Sequence, residues 1–417
     1  MIKLKLENQF SLEILVSKFN SKPALTIGES TYTYQELFEL VQTAANRFKN
    51  RQGNVIKLVN KEPFKFIINF LAIIQTRNYP FVASFDRSQL SFKNTKLNSQ
   101  TFFLGLTSGT TGQPKIYYRD WQSWKKGFDW CNKLFKLTSI QNIITGSPLT
   151  TSLGLHTLIL SLYLGKNFCL LNNSCKSRCL KKTTALFAVP TFLLQRSNIT
   201  ENIPNFKKIF LGGGTLTPQN AQKIRCSFPQ AELFEFYGSS ETSFISWQKI
   251  TRKKITSSAG QLFPNVKVSF GSHHEIIATS PYLFSGYLGQ PSPRICVTDD
   301  LGVLKGDQLF LTGRKADLID HGGNKISPFE VEAVVNECCP NCIVFGVKDS
   351  KLGQKIALLT TETTTKQLLV ECLRRHLPSF KCPDIYLRTT KFPLSLNQKI
   401  SRVQLAQAYE RGEFNEF

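Results

Sequence analysis

The chain has 417 residues, of which 41% are hydrophobic and 19% are charged, and 33 of them are phenylalanine. This length is enough for two or three domains, and this composition excludes a globally disordered chain. Lysine and arginine number 52 against 29 aspartate and glutamate residues, a formal net charge of +23. Such a charge favours anionic partners: nucleotide phosphates, nucleic acid, an acidic carrier protein or an anionic lipid surface.

The positive charge is concentrated in the first three quarters of the chain. The residues from Arg314 onward carry a net charge of +3, and the 313 before them carry +20. Between Asp129 and Glu201 there is no acidic residue, but there are eight basic ones. Such a run is typical of a solvated basic surface, and it also suits the docking of an anionic partner. Nucleic acid is not indicated, because no recognition helix, zinc module or aromatic-interleaved basic run accompanies the charge.

The eleven cysteines follow no disulfide framework, and the first residues lack the apolar stretch of a secretory signal. We therefore expect reduced thiols in a cytoplasmic protein, with peripheral attachment to an anionic membrane surface as an alternative. Cys339 and Cys342 have the CxxC spacing, but they close a helical stretch at 328–337 instead of opening one, which favours ordinary thiols. The longest apolar run, 153–164, is shorter than the ~20 residues that span a bilayer.

Helix and strand patterns alternate along most of the chain. Apolar residues at helical spacing predict a helix over 34–48, with Thr33 as its N-cap. The next predicted elements are a buried helix at 67–74 and strands at 81–83, 185–189, 208–211 and 233–236. From about Ser257 the pattern changes to short alternating strands at 266–270 and 275–278, typical of a small β-barrel or meander. After Gly313 a βα pattern returns, with a helix over 328–337 and a strand at 342–345.

This alternation predicts an α/β protein. We expect a large N-terminal domain, residues 1–313, built from layered α/β subdomains and a small β-barrel-like subdomain. A small α+β C-terminal domain, residues 314–417, follows it.

The sharpest motif follows the apolar residues 102–104 and reads Thr107-Ser108-Gly109-Thr110-Thr111-Gly112-Gln113-Pro114-Lys115. Its glycines allow close approach of the backbone, its hydroxyls are donors, and consecutive N–H groups can form a nest for phosphate oxygens. Lys115 adds a cation. It is not a Walker A loop, because two residues separate Gly112 from Lys115. The motif predicts a phosphate-binding loop.

Further motifs follow in a fixed order. They are Leu211-Gly212-Gly213-Gly214, Tyr237-Gly238-Ser239-Ser240-Glu241, Thr298-Asp299-Asp300-Leu301-Gly302, Gly313-Arg314-Lys315-Ala316-Asp317, His321-Gly322-Gly323-Asn324-Lys325-Ile326 and Pro393-Leu394-Ser395-Leu396-Asn397-Gln398-Lys399-Ile400. With the loop at 107–115, this set resembles the adenylate-forming enzymes, which include acyl-CoA synthetases, luciferases and peptide-synthetase adenylation domains. The resemblance extends over nearly the whole chain and is closest to a compact acyl-CoA synthetase.

The resemblance implies a role for each matched residue. Lys115 and the loop residues Thr107, Ser108, Gly109, Thr110, Thr111 and Gly112 would hold the ATP phosphates, and Thr107 and Glu241 would hold Mg²⁺. The adenine and ribose would be bound by Gly213, Gly214, Tyr237, Gly238, Ser239, Ser240, Asp300 and Arg314. Ala316 and Gly323 would belong to the hinge and the thiol channel of a mobile C-terminal domain. Lys399, carried on that domain, would be the catalytic lysine of adenylate formation.

Three departures from the family pattern bear on these expectations. Ala316 stands where relatives have a charged hinge residue, and Gln398 stands where they have the glycine before the lysine. Amino-acid-activating relatives place an aspartate in the stretch that corresponds to 147–156 to pair the substrate ammonium, and this chain has no carboxylate there. A buried ammonium needs such a partner. We therefore expect an acid without an α-amino group, with an aliphatic or aromatic tail.

The sequence leaves three functions open. The first is an ATP-dependent ligase that joins a carboxylic acid, of fatty or aryl type, to coenzyme A (CoA). The second is an adenylating enzyme that loads the phosphopantetheine arm of an acidic carrier protein. The third is a degenerate, non-catalytic nucleotide-binding paralogue.

Overall fold

A computed structural model describes residues 9–59, 62–83, 92, 97–107, 115–170, 182–195, 206–214, 216–251, 254, 257–393 and 400–417. Most of the chain lies in three β-sheets and the helices that cover them, which confirms the α/β fold class. Ser108 to Gly112 and Lys399 lie outside the described residues. The domain boundary after Gly313 stays a prediction.

The helices of the described residues alternate with the strands along the chain. They are α1 (Leu12–Phe19), α2 (Tyr34–Ala45), α3 (Pro63–Gln75), α4 (Trp121–Phe135), α5 (Ser152–Tyr163), α6 (Pro190–Gln195), α7 (Pro218–Ser227), α8 (Pro328–Cys338), α9 (Lys366–Arg374) and α10 (Arg402–Glu410).

The strands of the described residues come next. They are β1 (Pro23–Ile27), β2 (Ser30–Thr33), β3 (Val55–Val59), β4 (Tyr79–Ala83), β5 (Thr101–Thr107), β6 (Lys115–Asp120), β7 (Asn142–Thr145), β8 (Asn167–Leu170), β9 (Thr184–Ala188), β10 (Phe206–Gly212), β11 (Glu232–Tyr237), β12 (Ser246–Lys249), β13 (Ser258–Leu262), β14 (Lys267–Phe270), β15 (Glu275–Thr279), β16 (Gly286–Tyr287), β17 (Cys296–Lys305), β18 (Gln308–Arg314), β19 (Ile319–His321), β20 (Asn324–Ile326), β21 (Cys342–Asp349), β22 (Gly353–Thr360), β23 (Ile385–Arg388) and β24 (Asn415–Glu416).

The largest sheet has 13 strands in the order β14-β15-β17-β18-β13-β12-β11-β10-β9-β7-β8-β1-β2. Its middle, from β11 to β8, is parallel, so the carboxyl ends of β9, β10 and β11 lie at one edge, where ligands bind in open α/β sheets. The other strands of this sheet after β11 pair antiparallel in the order β12-β13-β18-β17-β15-β14. The alternating strands after Ser257 therefore form a meander whose hydrogen bonding continues that of the large sheet.

A second sheet has the order β16-β6-β5-β4-β3, and β5 and β6 form a hairpin in which Thr107 is opposite Lys115. Helices α2, α3 and α5 have buried apolar faces against these two sheets. The start of α2 is fixed by a capping box, in which Thr33 Oγ1 accepts from Glu36 N and Glu36 Oε2 accepts from Thr33 N. This confirms the predicted N-cap, although the helix ends at Ala45, before the predicted Phe48.

The third sheet, from β19 to β24, belongs to the C-terminal part of the chain. Helices α8 and α9 cover one face through a core that includes Val331 and Leu369, and α10 covers the other through Leu405. Arg402, at the start of α10, donates to Asp317 Oδ2 at 2.8 Å and to Glu332 Oε1 at 2.7 Å. These bonds fix α10 to α8 and to the segment before β19.

The cysteine pairing differs in part from the expectation. Cys338 and Cys372 form a disulfide that joins α8 to α9, so the prediction of reduced thiols is wrong for this pair. Their separation of 34 residues carries no recognisable pattern, because only the packing of two helices brings them together. Cys339 and Cys342 are free and buried, and a hydrogen bond between the two thiols lowers the pKa of Cys339, so their interpretation as ordinary thiols stays a prediction.

Candidate active site

The β5–β6 hairpin flanks the predicted phosphate-binding motif, of which residues 108–114 lie outside the described part of the chain. Thr107 ends β5, Lys115 begins β6, and the two residues pair across the hairpin. The predicted apolar strand before the loop is β5, whose first five residues are buried. The hairpin therefore holds the predicted hydroxyl ligand and the predicted cation side by side.

Glu241 faces the hairpin through a tyrosine that the sequence analysis missed. The Tyr287 hydroxyl donates to Glu241 Oε1 at 2.9 Å and is also hydrogen-bonded to the Thr107 side chain. Lys115 Nζ lies 5.2 Å from the centroid of the Tyr287 ring, a cation–π distance. Burial, and then the charge of Glu241, raise the pKa of Tyr287, so the hydroxyl keeps its proton. The structure thus brings together Thr107, Lys115 and Glu241 around Tyr287.

A second cluster contains the residues predicted to bind the nucleoside. The Tyr237 hydroxyl donates to Asp300 Oδ2 at 2.8 Å, and Arg314 Nε lies 2.9 Å from Asp300 Oδ1. Asp300 and Arg314 are opposite each other in the β17–β18 pair. Burial, and then Asp300, raise the pKa of Tyr237 well above its ordinary value. A fixed carboxylate beside an aromatic ring is a chemically suitable acceptor for two ribose hydroxyls.

The segment 237–241 connects the two clusters. It begins at the carboxyl end of β11, and Gly238 is required there because a Cβ at this position would lie 1.9 Å from Ser243 O. The Ser239 hydroxyl accepts from Glu241 N and Thr242 N, both at 3.2 Å. Ser240 is hydrogen-bonded through its side chain to Tyr117. The turn is therefore fixed by its own hydroxyls and by β6.

Two further predicted segments lie close to this turn. One follows β10 and the other leads into α5. Gly212 is paired with Phe236, so Gly213 and Gly214 follow β10 beside the end of β11, and Gly213 has a φ of +73°. The stretch 147–156 leads into α5, whose N-cap Thr151 accepts from Gly154 N at 3.2 Å. His156 is 6% exposed and lies among the rings of Trp124, Phe128 and Phe244.

The donor set around Glu241 suits magnesium. One carboxylate and one threonine hydroxyl are hard oxygen ligands, and Mg²⁺ in phosphate sites usually takes only one or two protein ligands besides water and substrate phosphates. Within the part of the chain that the structure describes, no group of three or more His, Cys, Asp or Glu residues forms a self-contained metal site. The carboxylate and the hydroxyl fit a Mg²⁺ ion whose other ligands come from water and phosphate oxygens.

The remaining predicted residues lie in the C-terminal part. Ala316 is exposed, within the turn Lys315–Asp317 that follows β18. Gly323 is exposed in the turn between β19 and β20, with a φ of +83°. Neither contacts the two clusters by any described bond. Their hinge and thiol-channel roles stay predictions, as does the role of Lys399.

Tyr287, Tyr117 and Arg119 are the site residues that sequence reasoning missed. Tyr117 and Arg119 alternate with Lys115 along β6, and side chains two apart in a strand share one face. That alternation was the available signal. For Tyr287 the available signal was weaker, a Gly-Tyr pair in a short strand opposite Tyr117.

Comparisons with known proteins identify the family. The family model described as AMP-binding enzyme matches residues 75–288, more than half of the chain. The chain therefore belongs to the AMP-binding enzyme family.

Two relatives in sequence and one solved structure are similar to this chain. A Staphylococcus aureus (strain COL) protein named "Putative long chain fatty acid-CoA ligase VraA" is 29% identical over 457 residues, which cover 96% of this chain and 99% of that protein. The D-alanine–D-alanyl carrier protein ligase of Listeria monocytogenes is 23% identical over 357 residues, which cover 74% of this chain and 70% of that protein. The O-succinylbenzoate CoA synthetase MenE of Bacillus subtilis, solved with ATP and magnesium, has a TM-score of 0.76 at 20% identity, covering 94% of this chain and 98% of that one. The last likeness shows the fold alone.

Among the helices of the described residues, none combines the length and the apolar character needed to cross a bilayer.

Proposed function

We propose that this protein is an acid–thiol ligase. It converts a carboxylic acid, ATP and CoA into acyl-CoA, AMP and pyrophosphate. In the first step a carboxylate oxygen attacks the α-phosphorus of ATP, and pyrophosphate leaves. In the second step the CoA thiol attacks the acyl carbon, loses its proton, and AMP leaves.

The observation that carries this proposal is the pair of clusters joined by the segment 237–241. Tyr237 lies at one end, bonded to Asp300, and Glu241 lies at the other, bonded to Tyr287. The two ends of a nucleotide match the two clusters, because one end is aromatic and rich in hydroxyls and the other is anionic. We assign the ribose to Asp300 and Arg314, and the adenine to Tyr237 with Gly213 and Gly214 beside it.

The anionic end would be bound by Lys115, Thr107 and the loop between them. Phosphoryl transfer spreads negative charge over the phosphate oxygens, so the protein contributes mainly positioning and electrostatic stabilisation. Thr107 and Glu241 would hold Mg²⁺, which when bound would neutralise charge at the phosphate oxygens. Lys115 would add a point charge at the same end, because its Nζ lies 5.2 Å from the centroid of the Tyr287 ring, whose hydroxyl donates to Glu241.

The substrate acid is proposed to lack an α-amino group. The stretch 147–156 has no carboxylate, and the side chains that surround His156 at its end are aromatic. This environment suits an aliphatic or aryl tail and leaves an ammonium without a partner. The relative named as a fatty acid-CoA ligase supports the same class.

A panel of acids tests this function. Purified protein is incubated with ATP, Mg²⁺ and labelled pyrophosphate, together with fatty acids of graded length, aryl acids or D-alanine. We expect exchange of pyrophosphate into ATP that depends on a fatty or aryl acid. Absence of exchange with every acid would contradict an adenylating enzyme and favour a non-catalytic nucleotide-binding protein. Preference for D-alanine would contradict the substrate class.

The thiol acceptor is tested in the second half-reaction. Acyl-adenylate formed on the protein is offered either free CoA or a carrier protein with its phosphopantetheine arm. We expect thioester with CoA. Thioester with the carrier alone would identify the carrier-loading alternative, for which the D-alanyl carrier protein ligase is the precedent among the relatives.

A further inference from the structure

Arg119 is a fully buried arginine in the middle of the candidate site. Its Nη1 donates to Ser123 Oγ at 3.0 Å and to Tyr282 O at 2.8 Å. Its Nη2 donates to Ser240 O at 2.6 Å and lies 3.4 Å from Glu241 O. The side chain is 0% exposed. One guanidinium therefore joins β6, the start of α4, the segment 237–241 and the segment that leads to Tyr287.

The partners of this cation are unusual. Among the described residues no carboxylate forms an ion pair with it, and backbone carbonyls take the place of a counterion. Burying a cation is costly unless it is well hydrogen-bonded, and burial lowers the pKa of Arg119. A hydrophobic residue would fill this space without that cost. We therefore attribute the presence of an arginine here to the hydrogen bonds that its guanidinium donates.

The position of Arg119 in β6 connects it to the phosphate end of the site. Lys115, Tyr117 and Arg119 lie on one face of the strand, because side chains two apart point the same way. Tyr117 is hydrogen-bonded to the Ser240 side chain, and Arg119 binds the Ser240 and Glu241 carbonyls. The strand that carries Lys115 therefore also fixes the backbone that carries Glu241.

The segment 282–287 is also hydrogen-bonded to Glu241 and Arg119. Glu241 O also accepts from Phe284 N at 2.7 Å, and the Glu241 carboxylate accepts from Tyr287. Arg119 binds Tyr282 O at the start of the same segment. A shift of the guanidinium would move Glu241 relative to both Thr107 and Tyr287.

We infer that Arg119 is a positioning residue for the metal–triphosphate end of the site, acting through the carbonyls of Ser240 and Glu241. It does not touch the nucleotide itself. This inference rests on the proposed function. According to this inference, Arg119 affects the increase in ATP affinity that Mg²⁺ causes. Asp300 and Arg314 affect the affinity for the nucleoside.

The test measures nucleotide binding by calorimetry with α,β-methylene ATP, with and without Mg²⁺. Arg119→Lys keeps the charge but loses the two-pronged geometry. We expect the gain in affinity that Mg²⁺ gives to the wild type to fall about tenfold, as for the loss of a charge-assisted hydrogen bond. We expect metal-free affinity to stay within about twofold. Arg402→Lys is the matched control, since it makes the same change at a largely buried arginine that no described bond joins to the segment 237–241, and it should keep the full Mg²⁺ gain.

A merely structural role gives a different result. Equal loss of affinity with and without Mg²⁺, or an unchanged Mg²⁺ gain in Arg119→Lys, would overturn the inference. If Arg119→Lys does not fold, Arg119→Gln is measured in the same way, because it buries no charge and its amide is too short to reach both sets of carbonyls. Wild-type protein that binds the analogue with no Mg²⁺ gain would refute the proposed function and this inference together. Failure confined to the variants refutes only the inference.

Discussion

Asp300 combines two contacts that the proposed ribose site needs, one to Tyr237 and one to Arg314. Asp300→Asn removes its charge and one acceptor, so we expect the KM for ATP to rise about tenfold or more, as for loss of charge-assisted hydrogen bonds. Asp299→Asn makes the same charge change one residue away, at a carboxylate that no hydrogen bond or ion pair among the described residues joins to Tyr237 or Arg314. It should leave the KM within about twofold. Initial rates of pyrophosphate exchange at varied ATP measure both, and similar KM values for the two variants would contradict the assignment.

His156 is a buried imidazole whose behaviour with pH can be derived. Burial, and then the charge of Arg119, lower the pKa of His156 to about 3, below the ~6.5 expected in an unfolded chain. Between these values the unfolded chain binds the extra proton, so the free energy of unfolding decreases as the pH falls below about 6.5.

His156→Phe removes that dependence and keeps an aromatic ring in the same surroundings. The difference in unfolding free energy between variant and wild type should shift by about 2 kcal/mol in favour of the variant from pH 7 to pH 5. Urea unfolding at the two pH values measures it. His273→Gln, at an imidazole that is 74% exposed, is the control and should show little shift. If the difference in unfolding free energy for His156→Phe changed with pH as little as that for His273→Gln, the imidazole of His156 would have to be protonated in the folded protein.

At the scale of elements, Arg402 joins α10 to the rest of the C-terminal sheet through Asp317, Glu332 and the Val344 carbonyl, to which its Nε donates at 2.9 Å. Arg402→Met leaves Glu332 buried without its cation, and we expect a loss of about 3–5 kcal/mol in unfolding free energy. Arg402→Met combined with Glu332→Leu should recover most of that loss, because no buried charge remains unpaired.

The pair Lys381–Glu330 supplies the matched control for this element. It also involves α8, but Glu330 is 44% exposed, and an exposed ion pair contributes less than about 1 kcal/mol. Lys381→Met should therefore change the urea midpoint little. A loss for Lys381→Met as large as for Arg402→Met, or no recovery in the double variant, would show that burial is not the cause.

At the scale of the whole molecule, the two halves of the reaction are expected to use different residues. The family resemblance implies that Lys399 belongs to a C-terminal domain that would close over the acyl carboxylate and α-phosphate during adenylation and would move away before the thiol arrives. Lys399→Ala should then slow adenylate formation by about 10²–10³-fold, as for loss of a preorganised electrostatic contact. Thioester formation from supplied acyl-adenylate should remain near normal.

Lys391→Ala, at an exposed lysine in the same part of the chain, is the control and should leave both half-reactions unchanged. Pyrophosphate exchange and single-turnover thioester formation separate the two steps. Equal losses in both steps would indicate a general binding or folding defect. No loss in either would mean that the loop with Gln398 in place of glycine has no catalytic part.

The sequence by itself determined the family, the order of the motifs and, except for Tyr287, all members of the two clusters, namely Thr107, Lys115, Glu241, Tyr237, Asp300 and Arg314. It did so because those roles depend on residue type at short spacing: glycines and hydroxyls for a phosphate loop, a tyrosine and a glutamate four residues apart, a carboxylate before a turn. The local signals for α2 and for the strands before the loop and before Tyr237 were equally sufficient, since capping and apolar periodicity act within one element.

Only the tertiary structure decided which residues far apart in sequence contact each other. Tyr287 reaches Glu241, Arg119 reaches Ser240, and Cys338 reaches Cys372, over separations of 46, 121 and 34 residues. Contacts of this kind depend on which strands pair and which helices pack, and a sequence pattern with a period of two or four residues carries no record of that choice. The burial of Arg119 and His156 has the same origin, because it is the packing of several elements, and not the residue's neighbours in sequence, that excludes water from a side chain.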